Sequence, residues 1–162
     1  MKKISYLLIS LIFLINISAC TGYKPIFGSS NLKFKIVDYS ISGDKRLGNQ
    51  IYSRLYDFSK STENVTGAKN IYILINVSQN KNATAKDSAG KILGYRINLS
   101  TTINIKDSIT KNEILNDTFF FLSTYKIQEQ FSETIKLENQ IIEDLINTTY
   151  QDLLIKLSEK LL

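Results

Sequence analysis

Tyr95-Arg96-Ile97-Asn98-Leu99-Ser100-Thr101-Thr102-Ile103-Asn104-Ile105-Lys106 decides the fold. Strict alternation over twelve residues puts Tyr95, Ile97, Leu99, Thr101, Ile103 and Ile105 on one face of a strand. Arg96, Asn98, Ser100, Thr102, Asn104 and Lys106 fall on the other. One apolar and one wholly polar face predict an antiparallel strand in a sheet covered on a single side.

Upstream, Ile71, Ile73, Ile75 and Val77 alternate in the same way. The small, polar, basic run Asn80–Lys91 between the two strands reads as a long loop, with Asp87-Ser88-Ala89-Gly90 as its turn. Downstream, Asp107–Asn112 reads as a hairpin turn and Glu113–Tyr125 as the returning strand. In that strand Phe119-Phe120-Phe121 predicts burial on both faces. Leu32–Ile41 is a first strand, with Phe34 and Ile36 followed, after a shift, by Tyr39 and Ile41.

Two helical patterns complete the domain. Ser42-Gly43-Asp44 interrupts the first strand and offers Asp44 as an N-cap. Leu47, Ile51, Leu55 and Phe58 then form a stripe of about four turns. Ser59–Lys69 is polar and reads as a loop. Near the C-terminus Ser132 is a candidate cap for a long helix carrying Ile135, Ile142, Leu145, Ile146, Leu153, Leu157 and Leu161. The order β-α-β-β-β-α predicts an α+β fold: a two-layer sandwich of a four-stranded mixed sheet with two helices on one face.

The first 31 residues read differently. Met1-Lys2-Lys3 is basic, Ile4–Ile15 is apolar apart from Ser5 and Ser10, and small residues lead to Ile17-Ser18-Ala19-Cys20. This is a secretory signal over residues 1–19, too short in its apolar part for a bilayer span. Ile17-Ser18-Ala19-Cys20 resembles the bacterial lipobox, which implies a lipoprotein signal with Cys20 the acylated first residue of the mature chain. The competing reading is a plain signal peptide, or an N-terminal anchor helix, that happens to precede a cysteine. Residues 20–31 form a lipidated tether, and 32–162 the folded domain. Thr21, in place of an aspartate, leans towards the outer membrane.

Composition narrows the chemistry. The 162 residues include no histidine, one cysteine and no tryptophan, and the net charge is +5. Ser-His-Asp and Cys-His nucleophiles, His-ligated metals, zinc-thiolate clusters and internal disulfides are therefore excluded. No catalytic residue, metal ligand or cofactor is expected, and the protein reads as a non-enzyme. Loss of Lys2 and Lys3 with the signal leaves 18 basic against 15 acidic residues, a net +3. That excess is too small and dispersed for a nucleic-acid stripe. Lys81, Lys86 and Lys91 in the expected loop, with Arg96 on the polar strand face, are the candidate anion-binding residues. Arginine would serve as a bidentate phosphate donor and the lysines as point charges. The competing reading is an ordinary solvated sheet face.

Ala19-Cys20-Thr21-Gly22-Tyr23-Lys24-Pro25-Ile26-Phe27-Gly28 resembles the opening of the LPS-assembly lipoprotein (LptE) family in its alphaproteobacterial form. Gly94-Tyr95-Arg96-Ile97-Asn98-Leu99-Ser100 and Ser123-Thr124-Tyr125 before the long helix are similar to further stretches of that family. The resemblance implies a lipid-anchored domain at the periplasmic face of the outer membrane. There it would plug an LptD-type β-barrel and assist lipopolysaccharide assembly. On this footing lipopolysaccharide is the expected ligand of Lys81, Lys86, Lys91 and Arg96. The alternative is an auxiliary periplasmic lipoprotein of a lipid-transport or efflux ABC system.

Overall fold

The computed structural model describes residues 32–62 and 67–161. The expected signal peptide, Cys20 and the tether lie outside the described residues. Six elements follow in order: β1 (Phe34–Gly43), α1 (Lys45–Thr62), β2 (Lys69–Lys86), β3 (Ile92–Asp107), β4 (Glu113–Lys126) and α2 (Phe131–Leu161). The strands form one sheet in the order β1-β2-β3-β4, parallel between β1 and β2 and antiparallel thereafter. The α+β, mixed-sheet prediction holds.

The core follows from the alternation. Ile71, Ile73, Ile75 and Val77 on β2 and Ile97, Leu99, Ile103 and Ile105 on β3 are buried under the two helices. Each such side chain contributes about 1.5–3 kcal/mol by leaving water. From α1, Leu47, Ile51 and Leu55 meet them with no exposed surface. From α2 come Ile142, Leu145, Ile146, Leu153 and Leu157. Ile135, assigned to that stripe, is 39% exposed, whereas its neighbour Thr134 is buried.

In β1 the expected shift is a bulge. The register slips between Ile36 and Asp38, so Tyr39 and Ile41 return to the face of Phe34 and Ile36. At the end of β1 Asp44 caps α1, its Oδ1 accepting from Leu47 N at 3.1 Å.

Three sequence expectations are corrected. Helix α1 continues to Thr62, so Ser59 is helical and 2% exposed, not part of a loop. Its hydroxyl donates to Phe34 O at 3.2 Å and accepts from Ile36 N at 3.3 Å. Those partners on the outer edge of β1 hold a polar side chain inside. Ser132 lies within α2, which starts at Phe131. The helix entry is organised by Thr134, whose buried hydroxyl accepts from Gln128 N at 2.9 Å. Lastly, Phe119 is buried but Phe120 is 59% and Leu122 52% exposed. The sheet is covered on one face only, so the aromatic triplet cannot be buried on both.

Candidate functional site

The loop expected over Asn80–Lys91 is mostly strand. β2 runs on to Lys86 and pairs with β3 down to Ile92, with irregular register around Ala83 and Ala85. Small and polar residues such as Asn82, Ala83 and Thr84 carry no strong strand signal, and the long partner β3 recruits them. Only Asp87–Lys91 turns. Asp87 N donates to Lys91 O at 3.0 Å, and the Asp87 carboxylate accepts from Ala89 N and Lys91 N at 3.0 and 2.9 Å. Gly90 takes the left-handed conformation, φ 81°, that closes the turn.

Because β1 pairs only as far as Val77, the nine residues Ser78–Lys86 carry the β2-β3 hairpin about 30 Å beyond it. The first turns of α2 and the end of β4 support this arm.

The four candidate cations do not form one cluster. Arg96 lies on the uncovered face, between Asn82 and Thr124 on the neighbouring strands. Lys91 stands exposed in the turn, and Lys86 is exposed at the end of β2. Lys81 pairs with Ile97 and therefore points to the opposite, helix-covered face. There its ammonium meets the Glu138 carboxylate of α2 at 2.5 Å and sits 4.3 Å from the centre of the Tyr95 ring. The expectation that Lys81 shares a loop surface with Lys86, Lys91 and Arg96 is thus corrected: register parity turns it inward, into a clamp between hairpin and helix.

Tyr125 completes the clamp, its hydroxyl donating to Glu138 Oε2 at 2.7 Å. Burial pushes the Glu138 pKa up, but the Lys81 ammonium and the Tyr125 hydroxyl outweigh it and leave it below the ordinary 4.5. For Lys81 burial acts downward, and Glu138 with Tyr125 turn the net shift upward from 10.5. Glu138, with its depressed pKa, stabilises the fold above its unfolded value, and this is lost as pH falls through the folded pKa. Lys81, with its raised pKa, stabilises the fold below 10.5, and this is lost as pH rises through the folded pKa. Glu138→Gln is therefore expected to cost about 1–2 kcal/mol at neutral pH, the partial exposure of Lys81 keeping it at the low end for a charge-assisted bond. Urea melts between pH 3 and 7 check this: the variant's stability should change less with pH below about 4.5 than the parent's.

Sequence patterning missed this clamp because Glu138 and Lys81 are 57 positions apart. Another feature beyond its reach is a groove beside the arm, where Leu93 and Ile127, partly exposed, lie with Thr84, Arg96, Thr124 and Lys126. It combines apolar walls with two cationic side chains, a pairing suited to an amphipathic anion.

The uncovered face is a carpet of short polar side chains: Asn76, Ser78 and Asn80 on β2, and Asn98, Ser100, Thr102 and Asn104 on β3. Thr102 and Thr118 share a hydrogen bond of 2.9 Å, and Asn104 Nδ2 donates to Glu113 Oε2 at 2.7 Å. Phe120 and Leu122 stand out of this surface. Among the described residues no cluster of acidic or cysteine side chains could hold a metal ion. No described helix is long and apolar enough to cross a membrane.

These elements define a two-layer α+β domain with one bare polar sheet face and a projecting hairpin. No protein-family model matches the sequence, and no curated protein matches it. Among solved structures the chain is similar to an uncharacterized lipoprotein B from Nitrosomonas europaea, with a TM-score of 0.57 and 12% identity over 82% of this chain and 88% of that one. It is also similar to a putative lipoprotein from Caulobacter crescentus, with a TM-score of 0.55 and 15% identity over 81% and 92%. The rare lipoprotein B from Shewanella oneidensis gives 0.50 and 14% over 74% and 91%. At these identities the likeness establishes the fold.

Proposed function

We propose that this protein is an outer-membrane lipoprotein, acylated at Cys20, that plugs an LptD-type β-barrel and assists lipopolysaccharide assembly. The observation that carries the reading is the shared fold: three proteins described as lipoproteins have it over most of their length. The sequence Ile17-Ser18-Ala19-Cys20 ahead of the domain supports it independently.

The geometry suits the task. A barrel lumen is lined by polar side chains, and the Asn/Ser/Thr face offers donors and acceptors without many charges to desolvate. Phe120 and Leu122 supply apolar anchors within that face. At the hairpin end, Arg96 and Lys126 border an apolar groove, an arrangement that fits a phosphorylated glycolipid. None of these roles needs a catalytic group.

Co-purification of the tagged protein tests the partner. A large β-barrel in the eluate supports the plug, whereas an inner-membrane permease would replace it with the auxiliary transport reading. For the ligand, Lys91→Glu with Arg96→Glu is expected to weaken lipopolysaccharide binding about tenfold or more while the circular dichroism stays unchanged. Unchanged binding would remove the hairpin from the site. Lys81 is left out of that variant because its charge belongs to the Glu138 clamp.

A further inference from the structure

The two ends of the domain differ, and topology decides which end faces what. Phe34 pairs with Lys69, Asp107 with Ile71, and Ser59 near the end of α1 bonds to Phe34. Lys156, near the end of α2, pairs with Asp117 near the start of β4. The start of β1, the ends of both helices and the β3-β4 turn therefore share one pole. The hairpin tip lies at the other end of β2, about 55–60 Å away. Leu32, where the tether joins the domain, is at the first pole.

That pole is cationic. Lys33, Lys69 and Lys111 lie around the point of tether entry. Lys60 and Lys160 occupy the last turns of α1 and α2, where they offset the negative ends of the helix dipoles. The nearby carboxylates offset part of this charge, and of Asp107, Glu113 and Asp117 only Asp117 has a described cation as its ion-pair partner. Asp107 Oδ1 accepts from Ile109 N and Thr110 N at 2.8 Å each, Glu113 accepts from Asn104, and Asp117 is paired with Lys156. Among the described residues, Glu159 beside Lys160 and Asp57 one turn before Lys60 are further acids.

The turn is preset for presentation. Asp107 holds its backbone amides, and Lys111 adopts φ 62° while bonding to Asp107 O at 3.0 Å. At its apex Ile109 is 78% exposed. An isolated isoleucine at the tip of a rigid, lysine-flanked turn matches an interfacial anchor.

We infer that this pole is a docking surface for an anionic phospholipid surface, the same one that holds the acyl chains. The inference rests on the acylation of Cys20 for the anchor alone; charge and apolar apex are features of the folded domain. Twelve residues, 20–31, reach at most about 40 Å when fully extended, so the tether keeps this pole within that distance of the bilayer, and docking of the pole turns the hairpin tip away from it. Lysines close to an anionic leaflet each add attraction within a Debye length, and Ile109 enters the headgroup layer. Before a barrel takes it up, the domain then stands upright on the membrane rather than swinging from its tether.

The experiment uses the full lipidated protein on vesicles of phosphatidylcholine, with and without phosphatidylglycerol. Acylation occupies the thiol of Cys20, so an environment-sensitive fluorophore on Ile109→Cys reports the turn and one on Ser88→Cys reports the hairpin tip. A blue shift at position 109 is expected on the anionic vesicles, reversed near 0.5 M salt, with none at position 88. Lys69→Glu with Lys111→Glu should abolish it. Equal signals at the two positions, or no dependence on the anionic lipid, would overturn the inference. If the charge variant fails to fold, the lipid and salt dependence of the parent decides. A protein that does not float with neutral vesicles lacks the acyl anchor, which counts against the proposed function; the blue shift at position 109 on anionic vesicles then still decides the docking surface.

Discussion

Cys20→Ser is expected to abolish acylation entirely, because a hydroxyl does not replace the thiol as acceptor. Two acyl chains hold a domain at a bilayer by about 0.8 kcal/mol per buried methylene, whereas a single chain binds only reversibly. Without them no described helix is long and apolar enough to cross the bilayer, and the basic pole alone gives salt-sensitive attachment. Mass spectrometry of the mature N-terminus and membrane fractionation in high salt check this. The parent should carry the added acyl mass on Cys20 and resist extraction; the variant should carry none. A parent whose N-terminus is unmodified would end the lipoprotein reading.

Gly43→Ala is expected to cost roughly 3–5 kcal/mol, a large share of a domain's typical stability. Gly43 has φ +73°, and a Cβ there would lie 2.0 Å from Val77 O and 2.8 Å from Asn76 Oδ1. The first contact is with backbone, which cannot swing aside as a flexible side chain does. Val77 O also accepts from Asp44 N at 2.7 Å, so moving it disturbs the residue that caps α1. The left-handed conformation itself adds about 1–2 kcal/mol for a residue with a Cβ. Gly90→Ala is the control: its φ is +81°, but nothing lies within 4 Å of the added atom, so only the conformational part applies. Urea denaturation of the two variants should separate the terms. Equal losses would mean that the crowding at Val77 relaxes freely.

Legibility followed range of interaction. Alternation in β2 and β3, the stripe of α1, the cap at Asp44 and the shift inside β1 all depend on neighbours a few residues apart, and each is present in the structure. The errors had longer-range causes. Asn82, Ala83 and Thr84 have weak strand preference and were drawn into β2 by pairing with β3. Ser59 looks like loop chemistry until the edge of β1 supplies both of its partners. Phe120 looks buried until the sheet proves bare on one side.

The candidate site divides in the same way. Arg96 belongs to the uncovered face by strand parity, which sequence alone determines once β3 is recognised. The inward direction of Lys81 depends on its register opposite Ile97, and its loss as a free cation depends on Glu138 arriving from α2.

Sequence by itself determined the α+β class, the absence of histidine and disulfide chemistry, and the strand faces, because periodicity and composition are local properties of the chain. Only the tertiary structure decided which lysines remain available and which end of the domain receives the tether. Charge neutralisation and spatial polarity arise from elements brought together across the sheet, through the free energy of packing their apolar faces.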